Sequence, residues 1–531
     1  MNRVVQFLFR DAQAPGLARV LHHGGPVMRL SELVAELGHL GATPELRWNG
    51  LDVDVSGMSV DTRALRRGDA FIALNGSQAH GLEHLQVAID AGASAVFWEP
   101  DEDADWAAYV AARCRWIPAV RVPALRAHLG EFAARYYGSP SDRVPVVAAT
   151  GTDGKTSVTQ IIARAMSLIG DRFGVLGTIG NGFPGELKAT PNTTMDVVGV
   201  QSALAELVTA GASGVALEAS SHGLDQGRLD GVHLRGAVLT NLSRDHLDYH
   251  GDVAAYAAAK RRLFLFPNLE FVILNSDDHF GRDLLADAAI TARKISYGTA
   301  PDADVRIEEV APRQDGLRVR LAGRLGGGVI ASRLMGDFNA ANLAAAFAVM
   351  RELGVDADAV LSALSRVSPI EGRMEAWHLP ADVTVVVDYA HTPAALEHAL
   401  RTLRSHAIGK LHCVFGCGGD RDQGKRPLMG AAAERLADYT VVTDDNPRNE
   451  DPDRIIAQIV AGMQRPEAAA VIRDREAAIR RTIAGAAPGD IVLVAGKGHE
   501  DYQIVGARRT WFSDRALVGQ IQSEKNREAA R

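Results

Sequence analysis

The chain has only three cysteines among 531 residues: Cys114, Cys413 and Cys417. Three cannot make a disulfide framework, which suits a reducing compartment. Cys413 and Cys417 lack the paired spacings of a zinc site and sit in or beside an apolar run, so both read as structural. No apolar run is long enough to span a bilayer. A convincing secretory signal is missing as well. The first residues, Met1-Asn-Arg-Val-Val-Gln-Phe-Leu-Phe-Arg-Asp11, hold a short apolar stretch broken by Arg10 and Asp11. Nor is there an excess of basic residues: the formal net charge is −8, which argues against general nucleic-acid binding. A cytoplasmic monomer is expected, with no nucleic-acid partner and no membrane insertion.

What is present is the composition of a soluble globular protein, 47% hydrophobic and 23% charged. A chain this long is expected to fold as roughly two to four domains. Met28 opens a clean amphipathic stretch, Met28-Arg-Leu-Ser-Glu-Leu-Val-Ala-Glu-Leu37, and the segment before it, 1–27, reads as a disordered or misassigned extension. Three blocks follow, placed at 1–140, 141–368 and 369–531. The first ends in the turn-rich Ser139-Pro-Ser-Asp142, after a helical stretch around Leu125 to Tyr137.

The most informative segment opens the second block. Ala148-Ala-Thr-Gly-Thr-Asp-Gly-Lys-Thr-Ser157 follows the apolar Val144-Pro-Val-Val147 and precedes a helical pattern from Val158 to Met166. Strand, glycine-rich turn and helix, with Gly-Lys-Thr at the helix mouth, is how nucleotide phosphates are held. Glycines let backbone N–H groups approach, Lys155 offers a charge and the Thr156 hydroxyl can ligate magnesium. Ala149 stands where the general pattern has glycine, so the match is incomplete. A bare Gly-Lys-Thr is often just a helix start; the flanking strand and helix favour the phosphate loop.

The rest of this block alternates buried-strand runs (Gly214 to Leu217, Gly236 to Thr240, Phe271 to Leu274) with helical patterns, which implies a largely parallel sheet. Two alternating runs around Asp315-Gly316 read as a hairpin. Glu218 and His222, and then Asp245 and His246, fall just past two of these strands. Each such histidine alone reads as turn chemistry, but two carboxylate–imidazole groups near one phosphate loop suit magnesium. Lys260, on a helix begun near Asp252, gets no role from its spacing.

The third block repeats one pattern four times: an apolar strand running into a polar loop. The loops begin after Asp388, Phe415, Thr443 and Ala495. In doubly wound sheets ligands bind outside the carboxyl ends of strands, where all four loops fall.

Thr150-Gly-Thr-Asp-Gly-Lys-Thr156, Glu218-Ala-Ser-Ser-His222, Asn241-Leu-Ser-Arg-Asp-His-Leu-Asp-Tyr-His-Gly251 and Gly336-Asp-Phe-Asn-Ala-Ala-Asn342 together resemble the Mur ligases of peptidoglycan synthesis. Asp388-Tyr-Ala-His-Thr-Pro393, Gly416-Cys-Gly-Gly-Asp-Arg-Asp422 and Gly496-Lys-Gly-His-Glu500 narrow this to members that add the third amino acid to the UDP-N-acetylmuramoyl dipeptide. The resemblance runs in order from about Val60 to about Arg515. It covers Ala149, which is the family's own departure from the general loop. Asp153 stands where many members carry asparagine.

The resemblance implies an α/β protein of three domains: an N-terminal α/β substrate domain, a central P-loop ATPase-type mostly parallel sheet, and a C-terminal Rossmann-like domain. It implies ATP as co-substrate, held by Gly151, Thr152, Asp153, Gly154, Lys155, Thr156 and Ser157, with Asn339, Arg373 and Asp388. Magnesium is assigned to Thr156, Glu218, His246 and Lys260, the last as a carbamate; Lys155, Glu218, His246 and Lys260 form the catalytic set. Val60, Thr62, Ser77, Gln78 and Ala79 match the uridine diphosphate site. Asn192, Thr193, Thr194, Ser220, Gln226 and Arg228 match the muramoyl-dipeptide site.

The implied third amino acid is meso-diaminopimelate, which differs from lysine by one distal carboxylate. A site for it should aim a guanidinium at that group, since a bidentate pair is strong and directional. Arg448, within Asp445-Asn446-Pro447-Arg448, resembles that device, and Arg421, Gly496 and Glu500 match further contacts. Without the resemblance, Asp-Asn-Pro-Arg reads as an Asx turn before a helix. The implied reaction is ATP-dependent amide ligation through an acyl phosphate, with a hinge near Pro369 to Gly372. The nearest rivals are a lysine-adding ligase of the same family and a folylpolyglutamate synthetase. A nucleotide- and UDP-sugar-binding regulator without catalysis, and a plain P-loop regulator, are the rivals from another class.

Overall fold

The computed structural model describes residues 21–22, 25–47, 52–76, 79–101, 105–190, 192–313 and 315–529. Most of the expected N-terminal extension lies outside the described residues. No helix among those described is long and apolar enough to cross a membrane. The chain divides into two compact units. One comprises 1–145 with 194–212 and 222–233, and the other 146–193, 213–221 and 234–531.

The first unit is built on a five-stranded sheet among its described residues, in the order Glu45–Arg47, Ala119–Arg121, Ala95–Trp98, Asp69–Ala73, Gly57–Ser59. All neighbours are parallel except the edge strand Glu45–Arg47. Side chains alternate between faces, so Asp69–Ala73 feeds two cores at once. Ala70 and Ile72 join Phe97, Phe132 and the helix Leu30–His39, which buries Leu30, Leu33 and Leu37 at helical spacing. Phe71 and Ala73 join Trp98, Leu82 and Leu85 on the other side. Gly130, on the helix Leu125–Tyr136, meets Gly231 backbone to backbone. A Cβ on Gly231 would lie 2.3 Å from the Gly130 carbonyl, so this crossing requires glycine.

The second unit contains, among its described residues, a ten-stranded and a six-stranded sheet. In the larger sheet the strand before the phosphate loop, Val146–Thr150, is central, between Gly214–Glu218 and Gly236–Leu239 and parallel to both. Its far edge is antiparallel: Val305–Arg313 and Gly316–Ala322 form the expected hairpin, and Gly328–Ser332 adds a third strand that the sequence reading missed. The helices Lys155–Leu168 and Phe338–Glu352 share one core with this sheet. Ala344, Ala345, Ala346 and Ala348 are fully buried, their small side chains suiting close helix-to-sheet approach.

In the smaller sheet Val383–Asp388, Ile491–Ala495, Leu411–Phe415 and Tyr439–Val442 lie side by side and parallel. Their carboxyl ends therefore share one edge, and the four polar loops leave from it. Three loops lead into helices, Pro393–His406, Lys425–Leu436 and Pro452–Val460, while the fourth leads into the hairpin Tyr502–Val505 and Arg508–Trp511. Cys413 and Cys417 are both buried here, and desolvation pushes their thiols up to about 12.

Between the two sheets, Arg164 of the helix Lys155–Leu168 pins the connecting chain. Its guanidinium donates to Ser368 Oγ at 3.0 Å and the Pro369 carbonyl at 2.8 Å, and it pairs with Glu371. The backbone then turns through left-handed conformations at Gly372 (φ 65°) and Met374 (φ 46°).

A buried ion pair closes the smaller sheet. Arg475 donates to both carboxylate oxygens of Asp514, at 2.8 and 2.7 Å, and to the Ala495 carbonyl at 3.0 Å. Asp514→Ala would leave a guanidinium buried without its anion, a loss of about 3–5 kcal/mol. The expected result is a clearly lower urea midpoint; an unchanged midpoint would show that the pair carries no stability.

Candidate active site

The phosphate loop is shaped by what crowds it. Gly151 has φ 151°, and a Cβ there would lie 1.8 Å from Thr240 Oγ1. At Gly154 (φ 83°) a Cβ would lie 2.8 Å from Asn342 Oδ1. No larger residue fits either place. The strand end beside it holds the turn: the Asp153 N–H donates to Asn241 Oδ1 at 3.0 Å, and Thr240 Oγ1 donates to the Asp153 carbonyl. Asn342 in turn donates to Asn339 Oδ1 at 2.8 Å, and Asn339 to the Met335 carbonyl. The Gly336 to Asn342 motif thus packs against the loop.

Two lysines converge on one carbonyl. Lys155 Nζ donates to the Gly151 and Thr152 carbonyls, both at 2.9 Å, and Lys260 Nζ donates to the Gly151 carbonyl at 2.7 Å. Burial chiefly lowers the Lys155 pKa, with Glu218 pulling the other way. Lys260, 1% exposed, is pushed down to about 6, by burial first and by the Lys155 charge second. Spacing alone makes Lys260 a solvated helix lysine; the structure buries it at the nucleotide loop.

Glu218, at the end of its strand and 1% exposed, accepts from the Thr156 hydroxyl at 2.9 Å. It also accepts from the backbone N–H and hydroxyl of Thr178, both at 2.9 Å. Thr178 escaped the sequence reading, although its place just past the buried strand Phe173–Gly177 was the available signal. The Thr193 hydroxyl lies 3.1 Å from that of Thr178. His246 stands in a left-handed turn (φ 52°), 3.5 Å from Asp245 Oδ2, with its ring 6.1 Å from that of Tyr256. Among the described residues no group of three or more His, Cys, Asp or Glu is arranged to hold a metal. A hydroxyl bonded to a buried carboxylate at a phosphate loop nevertheless fits magnesium, which takes few protein ligands and completes its shell with phosphate and water. Ser157 lies in the first turn of the helix Lys155–Leu168 and is buried.

In the first unit Val60, Thr62 and Ala79 lie past the carboxyl ends of the adjacent parallel strands Gly57–Ser59 and Asp69–Ala73. Ser77 and Gln78 lie outside the described residues. Arg228 there donates to the Thr194 carbonyl at 2.6 Å and through Nε to Gln226 Oε1 at 3.0 Å. In the second unit the Asn192 carbonyl accepts from Thr190 Oγ1 at 3.2 Å, and Ser220 follows closely on Glu218.

The smaller sheet gathers the remaining candidates at its loop edge. Asp388 accepts from the Met374 and Ala390 N–H groups at 2.8 and 2.9 Å, and burial raises its pKa. The Arg373 guanidinium lies 5.2 Å from the Tyr389 ring centroid. Asn446 donates to Glu500 Oε2 at 3.1 Å, and burial followed by Asp445 raises the Glu500 pKa. Lys497, fully buried, fixes that amide by donating to Asn446 Oδ1 at 3.1 Å and to the Tyr502 carbonyl at 2.8 Å. The sequence reading quoted the motif containing Lys497 but gave the lysine no role. Gly496 (φ 116°) backs onto Asp445, where a Cβ would lie 2.8 Å from Oδ2. Arg448, itself left-handed (φ 51°), donates to the Gly419 carbonyl at 2.9 Å, and the following Asn-Glu leads to the helix Pro452–Val460. A Cβ on Gly418 would lie 2.8 Å from Arg448 Nη1 and 3.7 Å from Arg421 Cγ, so Arg421 and Arg448 flank the same glycine.

Comparison with known proteins follows these three regions. Residues 54–137 match the model described as Mur ligase family, catalytic domain; 149–350 match the Mur ligase middle domain; 372–498 match the Mur ligase, glutamate ligase domain. The UDP-N-acetylmuramoyl-L-alanyl-D-glutamate–2,6-diaminopimelate ligase of Alkalilimnicola ehrlichii is 49% identical over 478 residues, covering 89% of this chain and 96% of that protein. Its counterpart in Pseudomonas putida is 46% identical over 465 residues, covering 86% and 92%. A solved structure of a ligase of the same name superposes with a TM-score of 0.67 at 37% identity, over 89% of this chain and 96% of that one.

Lys260 carries a pH signature. Its folded-state value, about 6, lies below the ordinary lysine value of 10.5. Between those limits the unfolded chain binds more protons, so this group makes stability rise with pH across that window. In buffer free of carbon dioxide, Lys260→Met is expected to exceed the wild type by roughly 2 kcal/mol or more near pH 7, the gain shrinking toward pH 10. Parallel stability curves for the two proteins would contradict this burial.

Proposed function

This chain belongs to the Mur ligase family, and on that footing we propose that it adds meso-diaminopimelate to UDP-N-acetylmuramoyl-L-alanyl-D-glutamate at the expense of ATP, in cytoplasmic peptidoglycan precursor synthesis. The observation that carries the choice of amino acid is the arrangement at the loop edge of the smaller sheet. Arg421 and Arg448 flank Gly418, while Glu500 is tied through Asn446 to the motif that bears Arg448. Two guanidiniums suit a distal carboxylate, and a carboxylate suits the ammonium beside it. The full-length similarity to ligases of that name supports the same reading.

The reaction must turn a poor electrophile into a good one. The γ-carboxylate of the D-glutamyl residue attacks the γ-phosphorus of ATP, the bond to the bridging oxygen breaks, and ADP leaves. The diaminopimelate amine then attacks the acyl carbon, loses a proton to water and expels inorganic phosphate. Lys155 turns from the loop carbonyls toward the phosphates and stabilises the charge in transit. Thr156 and Glu218 would hold magnesium, joined by His246 and by Lys260 as its carbamate, and the metal would supply positive charge for the phosphoryl transfer. A neutral Lys260 amine is the form that reacts with carbon dioxide, and its depressed pKa favours that form near neutrality. Asn339 and Asp388 receive the base and sugar of ATP, and Arg373 its phosphates. The uridine end of the sugar nucleotide falls to Val60, Thr62 and residues 77–79, and the dipeptide to Arg228 and its neighbours. The hinge of this reading lies near Pro369 to Gly372, in the segment that Arg164 holds and where Gly372 turns left-handed.

The test is phosphate release with ATP, magnesium and the UDP-muramoyl dipeptide, comparing meso-diaminopimelate with L-lysine. Release with diaminopimelate alone is expected. Arg448→Ala should raise the KM for diaminopimelate by about 10- to 100-fold, with the KM for ATP unchanged. Equal release with lysine would overturn the assignment of the amino acid, and no release with either would overturn the ligase reading.

A further inference from the structure

The residues that lock the two arginine-bearing loops together lie behind the site. Arg426, on the helix Lys425–Leu436, has a fully buried side chain. It grips Glu450 with two parallel bonds, Nη1 to Oε2 and Nη2 to Oε1, both at 2.9 Å. Nη1 also donates to Gln458 Oε1 at 2.6 Å, and Nη2 to the Gly418 carbonyl at 3.1 Å. Glu450 Oε1 further accepts from the Asp420 N–H at 2.6 Å. One ion pair, with its guanidinium buried and its carboxylate half-buried, thus joins the helix, the loop of Arg421 and the loop of Arg448.

The two loops are zipped along their length in front of this pair. The Gly419 N–H donates to the Asn446 carbonyl at 2.9 Å, and a Cβ on Gly419 would lie 1.8 Å from the Pro447 carbonyl oxygen. Asn449 Nδ2 donates to Asp420 Oδ2 at 2.8 Å. A pair of this kind is often no more stabilising than well-packed apolar residues. What it does provide is a fixed bidentate geometry, which lysine in place of Arg426 could not reproduce.

We propose that Arg426 and Glu450 are positioning residues for amino-acid selection: they set the spacing of Arg421 and Arg448 around Gly418, and with it the fit to a distal carboxylate. This rests on the diaminopimelate reading given above. Neither residue needs to touch the substrate. Their effect passes through the two loops to the guanidiniums.

Glu450→Gln keeps the size of the side chain and an acceptor for Asp420, but removes the charge and one of the paired bonds. The expected result is a rise of about tenfold in the KM for diaminopimelate. The KM for ATP and for the UDP-muramoyl dipeptide should stay near wild type, and the preference for diaminopimelate over lysine should fall by the same factor. Gly418→Ala offers a second route that leaves the ion pair intact. Its methyl group meets Arg448 Nη1, so it should give the same selective rise. A uniform loss of kcat with both amino acids, and preference unchanged in both variants, would overturn the proposal. Arg448→Ala run in parallel separates the two claims. If it leaves the KM for diaminopimelate unchanged, the underlying reading fails; if it raises that KM while Glu450→Gln and Gly418→Ala do not, only the positioning role fails.

Discussion

The Gly151 carbonyl oxygen receives two ammonium groups, the half-buried Lys155 and the buried Lys260, and much of the candidate site follows from that crowding. Two cations can share one acceptor in a desolvated loop only if proton affinity falls, and it falls for both, to about 6 at Lys260. In the proposed reaction Lys155 leaves these carbonyls for the phosphates, while Lys260 supplies the easily neutralised amine. The same crowding explains the glycines. Thr240 and Asn342 press on the loop from two sides, and only residues without Cβ leave room for the backbone to turn between them. On the third side Glu218 is held by Thr156 and Thr178 in a ready-made anionic pocket.

A second constraint is the shared direction of the strands. In a parallel sheet every loop on one edge follows a strand's carboxyl end, so residues far apart in sequence are delivered to one place. Val146–Thr150 and Gly214–Glu218 bring Lys155 and Glu218 together in the larger sheet; Leu411–Phe415, Tyr439–Val442 and Ile491–Ala495 bring Arg421, Arg448 and Glu500 together in the smaller one. The reaction needs the two edges to cooperate. Arg164 ties the start of the connecting chain to the very helix that carries the phosphate loop, and the chain turns left-handed just beyond it.

Much of this was legible in the sequence, because buried parallel strands write themselves as apolar runs and their functional loops as the polar residues that follow. The phosphate loop, the four loops of the third block and the Asp315-Gly316 hairpin were all readable in this way. Other features left no local trace. Lys260 follows Ala257, Ala258 and Ala259, so its helix has no polar face that would mark it as exposed or buried. The strand Gly328–Ser332 is short and begins at a glycine, which masks its alternation. Residues 194–212 and 222–233 pack in the first unit although the chain has already entered the second, a long-range choice that periodicity cannot reveal. Arg426 and Glu450 are 24 positions apart on a helix and a loop, and read singly each is an ordinary surface charge.

The most direct test of the account is to follow the oxygen atoms of the glutamyl γ-carboxylate. The UDP-muramoyl dipeptide would carry heavy oxygen in that group, and the inorganic phosphate released during turnover with diaminopimelate would be analysed by mass. Transfer of one labelled oxygen to phosphate for each amide formed is the predicted result, since the acyl phosphate carries that oxygen away when the amine attacks. Unlabelled phosphate accompanying amide formation would contradict the acyl-phosphate route and the role given to the phosphate loop.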